Sequence, residues 1–255
     1  MKSREIPFSP PDISDLEIEE VVRTLQSGWI TTGPRTKLLE KRLAAYIQTG
    51  KNDADVSESC NNRVVCLNSA TMAEELNLRI LGVGPGDEVI VPSYTYSASA
   101  SAVIHTGAKV VFVDIQKNGD PLTHMPEMDY DALSEAITEK TKAVVAVDLG
   151  GICCNYDKIF EILDRKKGIF NPLQSGETPL RDLSSRIQNA LGRPAIVSDS
   201  AHSLGASRLI TYSGKESSTV PERKYCGAIA DFTSFSFHAV KILQQRKEEL
   251  PPGCR

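Results

Sequence analysis

The sequence predicts an α/β protein built on an open, mostly parallel sheet, and three observations predict it. Short apolar runs alternate with stretches of helical spacing along most of the 255 residues, the pattern of successive βαβ units. The runs are apolar almost throughout rather than at every second position, as expected of strands covered on both faces. Their spacing does not give eight even repeats, which sets aside a closed barrel.

Two helices come first. Ser14 and Glu17 form an S-x-x-E capping box ahead of Leu16, Ile18, Val21, Val22 and Leu25, a helix start that satisfies its own N–H groups. A second helix follows Pro34, with Leu38, Leu39, Leu43, Ala44 and Ile47 at helical spacing. Between them lies GWITTGP, residues 28–34, a loop of small and hydroxyl side chains.

The expected strands are Arg63–Leu67, Glu88–Val91, Lys109–Asp114, Lys142–Val147 and Ala195–Ser198. Helices are expected between them, among others at Ala70–Leu81 and Tyr130–Ile137. Residues 165–193 read as a loop rich in Gly, Pro and Ser and then a short helix, and the polar stretch within 208–226 as an exposed hairpin or loop.

Bulk properties narrow the function. The chain is 40% hydrophobic and 24% charged with a net charge of −4, and it has no basic block to track a phosphate backbone, so nucleic acid is not an expected partner. The N-terminus has no apolar signal core, and no apolar run reaches membrane-spanning length, which points to a cytoplasmic protein without a membrane partner. The six cysteines include no C-x-x-C pair and the four histidines are scattered. Reduced, structural thiols and no metal site are therefore expected.

Four segments carry chemistry. In LNSATMAEELNLRILG (67–82) a strand end, a turn and a helix start make an anion site of open N–H groups and hydroxyls, or simply an N-cap at Ser69 or Thr71. In VPSYTYSASASAVIHTGAKVVFVD (91–114) Tyr94 and Tyr96 stand just past a strand end, where open sheets bind ligands. There an aromatic can stack on a flat ring or merely pack. In VSDSAHSLGA (197–206) Asp199 closes a strand at the same edge, placed to hold a pyridinium nitrogen or to cap a turn. DFTSFSFHAVK (231–241) runs from a strand to Lys241, a surface charge by itself and an imine-forming amine when a site surrounds it.

Together GWITTGP, NSAT, VPSYTY, SDSAHSLGA and SFSFHAVK, with the opening IPFSPPDIS, resemble the DegT/DnrJ/StrS family of sugar aminotransferases dependent on pyridoxal 5′-phosphate (PLP). The resemblance runs over nearly the whole chain, as far as Lys241. It implies the fold type I (aspartate aminotransferase-like) architecture, a mostly parallel seven-stranded sheet with a small C-terminal domain.

The resemblance also implies roles. Lys241 corresponds to the Schiff-base lysine and proton carrier, Asp199 to the partner of the pyridinium, and His202 to the ligand of the cofactor's 3-oxygen. Tyr96 takes the stacking position. Ser69, Ala70, Thr71 and Ser236 fall at the phosphate, and Thr31 and Thr32 near the sugar. The implied reaction is a ping-pong transfer of an amino group from glutamate to a nucleotide-linked keto sugar, serving cell-surface polysaccharide or related amino-sugar synthesis, in a homodimer. Relatives with histidine in place of the lysine are sugar dehydratases, so Lys241 favours the aminotransferase branch. GWITTGP and SFHAVK argue against other fold type I enzymes such as a desulfurase or aldolase; a non-catalytic fragment of the fold is the alternative from another class.

After Lys241 the family pattern continues K-N-L-T-T-A-E-G-G-A, whereas this chain reads KILQQRKEELPPGCR. Loss of a single adenine from a codon run for KNLTTAEGGA yields KILQQRKEEL, matching Lys241–Leu250. The expected organisation is thus an N-terminal segment and large domain over 1–241 and a frameshifted, disordered tail over 242–255, with the small domain missing. A chain so cut is expected to have low stability and little transaminase activity of its own.

Overall fold

The computed structural model describes residues 13–51, 64–117, 126–212, 217–238 and 241. The opening IPFSPPDIS up to residue 12, Cys60, Cys254 and the tail 242–255 lie outside the described residues.

Helix α1 (Asp15–Gln26) begins at the Ser14–Glu17 capping box, both arms of which are formed. Its apolar side chains, Leu16, Val21 and Leu25 among them, are exposed. Helix α2 (Pro34–Thr49) starts with Pro34 in its first turn and ends at Gly50, whose φ of 70° is left-handed backbone that glycine adopts without strain. Further helices are α3 (Ala70–Ile80), α4 (Ser97–Thr106), α5 (Tyr130–Ala136), α6 (Tyr156–Arg165) and α7 (Pro179–Leu191).

Among the described residues, five strands form one sheet: β1 (Glu88–Pro92), β2 (Lys109–Val113), β3 (Thr141–Val147), β4 (Ala195–Asp199) and β7 (Phe232–Ser234). They stand in the order β2-β1-β3-β4-β7, and every pairing is parallel. Strands β5 (Ser207–Tyr212) and β6 (Ser217–Tyr225) form a separate antiparallel ribbon, in the polar stretch read as a hairpin or loop.

The all-apolar strands are explained by their two covered faces. Val89, Val91, Ala143, Val145, Ala195 and Val197 pack with Leu78 of α3 and Val103 of α4. The intervening Ile90, Val144, Ala146 and Ile196 pack with Leu133 of α5 and Ile159 and Leu163 of α6. Alternate residues thus serve opposite layers, and each fully buried aliphatic side chain contributes about 1.5–3 kcal/mol.

One expected strand differs. Val64–Leu67, the described part of the expected strand Arg63–Leu67, joins no ladder among the described residues. The Cys66 N–H instead donates to Glu40 Oε1 at 2.9 Å, and Val65 and Leu67 are exposed. An apolar run without a neighbouring strand to satisfy its backbone takes the hydrogen bonds that side chains offer.

The strand order reverses between β1 and β3, since β2 lies on one side of β1 and β3 on the other. Ligands of open α/β sheets bind beyond the carboxyl ends of strands at such a switch. Here those ends deliver Tyr96, Asp148, Asp199 and Ser236 to one edge.

Candidate active site

A cleft of about 1420 Å³ opens along this edge, lined among others by Thr71, Tyr96, Asp199, His202, Ser236 and Lys241. Six of the residues read as cofactor ligands, far apart in sequence, therefore share one cavity; Ser69 and Ala70 line it as well.

Asp199 is the last residue of β4 and is 5% exposed. Its Oδ2 accepts from Ser99 Oγ of α4 at 2.9 Å, and its Oδ1 from the Ala201 N–H at 3.2 Å. Asp199 is thus buried at the edge of the cleft with a hydrogen-bond donor on each carboxyl oxygen.

Lys241 and His202 meet across 39 positions of sequence. Lys241 Nζ lies 2.9 Å from His202 Nε2, and the Lys241 N–H donates to the His238 carbonyl at 2.8 Å. The other ring nitrogen, Nδ1, lies 3.3 Å from the Gly150 N–H, so each ring nitrogen faces a nitrogen group. Burial, and then the neighbouring Lys241 charge, hold the His202 pKa below its ordinary 6.5. Lys241 Nζ is also 6.0 Å from the centroid of the Tyr96 ring. Tyr96, at the cap position of α4, is 74% exposed, so its face is open to a ligand.

Helix α3 begins on the same cleft. Ser69 Oγ caps it by accepting from the Met72 N–H at 3.2 Å. Ala70 and Thr71 occupy its first two positions, where backbone N–H groups have no carbonyl within the helix and attract anions. The N-cap and the anion site are thus the same feature: the cap takes the third N–H and leaves the first two. Ser236 lies beyond β7 on the same cleft, its Oγ accepting from the His238 N–H at 3.3 Å.

Two expected site residues are not brought in. Thr31 and Thr32 are exposed and do not line the cleft; the Thr32 carbonyl accepts from Trp29 Nε1 at 3.2 Å, folding the GWITTGP loop on itself.

Two carboxylates that no sequence motif marks prove central. Asp148, 1% exposed at the end of β3, accepts from Ser200 Oγ (2.7 Å), Tyr156 OH (2.9 Å) and the Cys154 N–H (2.9 Å). Its own N–H donates to the Asp199 carbonyl at 3.0 Å, so it ties the ends of β3 and β4 together beneath the site. Glu74 of α3 is 3% exposed, and its Oε2 has no hydrogen-bond donor. Burial and the adjacent Asp199 carboxylate push its pKa up to about 9. One signal for it is present in the sequence: Glu74 shares a face with Leu78 and Leu81 at helical spacing, and both leucines are buried, so a carboxyl stands at a core position.

Among the described residues two of the cysteines come together. Cys66, Cys153, Cys154 and Cys226 are free, and Cys153 Sγ lies 2.8 Å from Cys226 Sγ inside the core. Among the described residues no group of three or more His, Cys, Asp or Glu side chains can hold a metal ion, and no helix is long and apolar enough to cross a membrane.

The donor set fits pyridoxal phosphate: an amine, a buried carboxylate, an open aromatic face and a helix start for the phosphate, all on one cleft. Known proteins agree. The spore coat polysaccharide biosynthesis protein SpsC of Bacillus subtilis is 33% identical over 238 residues, covering 93% of this chain and 46% of its own length. The UDP-4-amino-4-deoxy-L-arabinose–oxoglutarate aminotransferase of Shewanella sediminis is 36% identical over 167 residues, 66% of this chain and 38% of the relative. Spr1654 of Streptococcus pneumoniae, assigned as a sugar aminotransferase, is 52% identical, and its structure superposes with a TM-score of 0.72 in both its PMP form and its PLP form. The match with the PMP form covers 93% of this chain and 49% of Spr1654. The chain spans about half the length of the curated relatives it matches. The family model for DegT/DnrJ/EryC1/StrS aminotransferases matches residues 11–170, and the chain belongs to that family.

Proposed function

We propose that this chain supplies the pyridoxal-phosphate site of a sugar aminotransferase that moves the amino group of glutamate onto a nucleotide-linked keto sugar. The observation that carries this reading is the convergence of Lys241, His202, Tyr96 and Asp199 on one cleft at the carboxyl edge of the sheet. The relatives support the acceptor class, since one is a UDP-aminosugar aminotransferase and another serves spore coat polysaccharide synthesis. We place the reaction in the cytoplasm, in a homodimer, feeding polysaccharide or related amino-sugar synthesis.

When bound, pyridoxal phosphate supplies an electron sink that makes the α-proton of an amino acid removable. Asp199 would hold the ring nitrogen with its charge, Tyr96 would cover the ring face, and the first turn of α3 with Ser236 would hold the phosphate. Lys241 would anchor the cofactor through its amine and, once displaced by the amino donor, carry the proton to and from the substrate carbon. His202 would stand beside that amine, its Nε2 2.9 Å from Lys241 Nζ, and face the cofactor's ring oxygen. In balance, glutamate leaves as its 2-oxo acid and the keto sugar leaves as an amine.

The test is a titration with pyridoxal phosphate followed by visible absorbance, then addition of glutamate and of keto-sugar nucleotides in turn. A band near the visible edge that Lys241→Ala abolishes is expected, and glutamate should discharge it. No such band would overturn the reading. A band indifferent to glutamate would mark the alternative, a non-catalytic fragment that binds the cofactor.

A further inference from the structure

We propose that Glu74 is a positioning residue for Asp199: its buried carboxyl keeps a proton and donates it in a hydrogen bond to the Asp199 carboxylate. The inference rests on the reading of Asp199 as the partner of the cofactor's ring nitrogen.

Three elements close on Asp199. Ser99 Oγ arrives from α4 at 2.9 Å and the Ala201 N–H from the turn after β4 at 3.2 Å. Glu74 arrives from α3, lines the same cleft and lies against Asp199. Two carboxyl groups in contact and out of water do not both ionise, because the repulsion is unscreened. The shared proton goes to whichever group lacks donors. Asp199 has a donor on each oxygen, whereas Glu74 Oε2 has none and is sealed from solvent. The proton therefore resides on Glu74, and the charge on Asp199.

Among the described residues no other ion competes for Glu74. Burial first, and then the Asp199 carboxylate, raise its pKa to about 9. The adjacent Glu75 pairs with Arg79 at 2.8 Å and His105 at 2.9 Å. From β7, Ser234 Oγ is taken by Asn77 Nδ2 at 3.2 Å, and from α7, Ser184 Oγ is taken by the Ile80 carbonyl at 2.8 Å. A neutral Glu74 thus serves Asp199 in two ways. It fixes the carboxylate's orientation from a third side, and it leaves the pair with one negative charge, matched to one pyridinium.

Infrared difference spectra of the cofactor-free chain at neutral pH test the proton's place. The stretch of a neutral carboxylic acid is expected in the wild type, absent in Glu74→Gln and retained in Asp199→Asn. No such band in the wild type, or an undiminished one in Glu74→Gln, would overturn the proposal. Pyridoxal phosphate affinity tests the role. Glu74→Gln keeps a donor and should bind as the wild type does. Glu74→Leu fills the space without one and should bind about tenfold or more weakly, the worth of one hydrogen bond to a charged group. Equal affinity in a folded Glu74→Leu chain would also overturn it. If Asp199→Asn leaves affinity unchanged, the reading of Asp199 itself fails, while the infrared band still reports independently where the proton sits.

Discussion

His202 Nε2 lies 2.9 Å from Lys241 Nζ, while His202 Nδ1 receives the Gly150 N–H at 3.3 Å. Protonating the ring would set one N–H against another at Gly150 and a positive ring against the lysine. Burial adds to this, and the fold holds the His202 pKa below 6.5. The unfolded chain therefore binds a proton that the folded chain does not in the window just below pH 6.5, so stability rises with pH across it. His202→Gln removes the titration. The variant should gain on the wild type as pH falls below 6.5, seen in thermal midpoints of the two; a constant difference would contradict the assignment.

Glu74 acts with the opposite sign. Its pKa rises from 4.5 in the unfolded chain to about 9 in the fold, so the folded chain binds the extra proton between those values. Its contribution is full below 4.5 and is lost as pH rises to about 9, with a slope approaching about 1.4 kcal/mol per pH unit. Glu74→Gln should flatten that decline in urea midpoints measured across the alkaline side. A decline of unchanged slope would show that Glu74 is not its source.

Asp231 secures the strand that leads to Lys241. It binds Arg193 through both oxygens at 2.8 and 3.0 Å and accepts the Ile196 N–H at 2.8 Å, joining β7 to β4 where only three residue pairs form the ladder. Arg193 is 5% exposed and lies over the Phe160 ring. Asp231→Ala would strand a buried guanidinium and should cost about 3–5 kcal/mol in urea unfolding. A loss well under that would show the pair to be dispensable.

Thr31 and Thr32 stand outside the cleft. The double substitution to alanine should leave the pyridoxal phosphate affinity of this chain unchanged. A weaker complex would place the GWITTGP loop at the cofactor after all.

Much of this was legible in the sequence because strands buried on two faces are written as continuous apolar runs. Glu88–Val91 and Ala195–Ser198 fall within a residue of the observed β1 and β4. Val64–Leu67 carries the same signature without a ladder, since composition shows that a run can be a strand but not whether a neighbour is there to pair with it. The site splits the same way. Lys241, Asp199 and Tyr96 belong to recognisable motifs at strand ends. Asp148 and Glu74 act through partners 52 and 125 positions away, Ser200 and Asp199, and nothing local marks such contacts. Only a carboxyl among leucines hinted at Glu74.

The role of Lys241 as the residue that holds the cofactor is tested most directly by borohydride reduction in the presence of pyridoxal phosphate, followed by peptide mass spectrometry. A phosphopyridoxyl group on the peptide containing Lys241, absent from Lys241→Ala, is the expected result. Labelling spread over other lysines with no enrichment at Lys241 would contradict it.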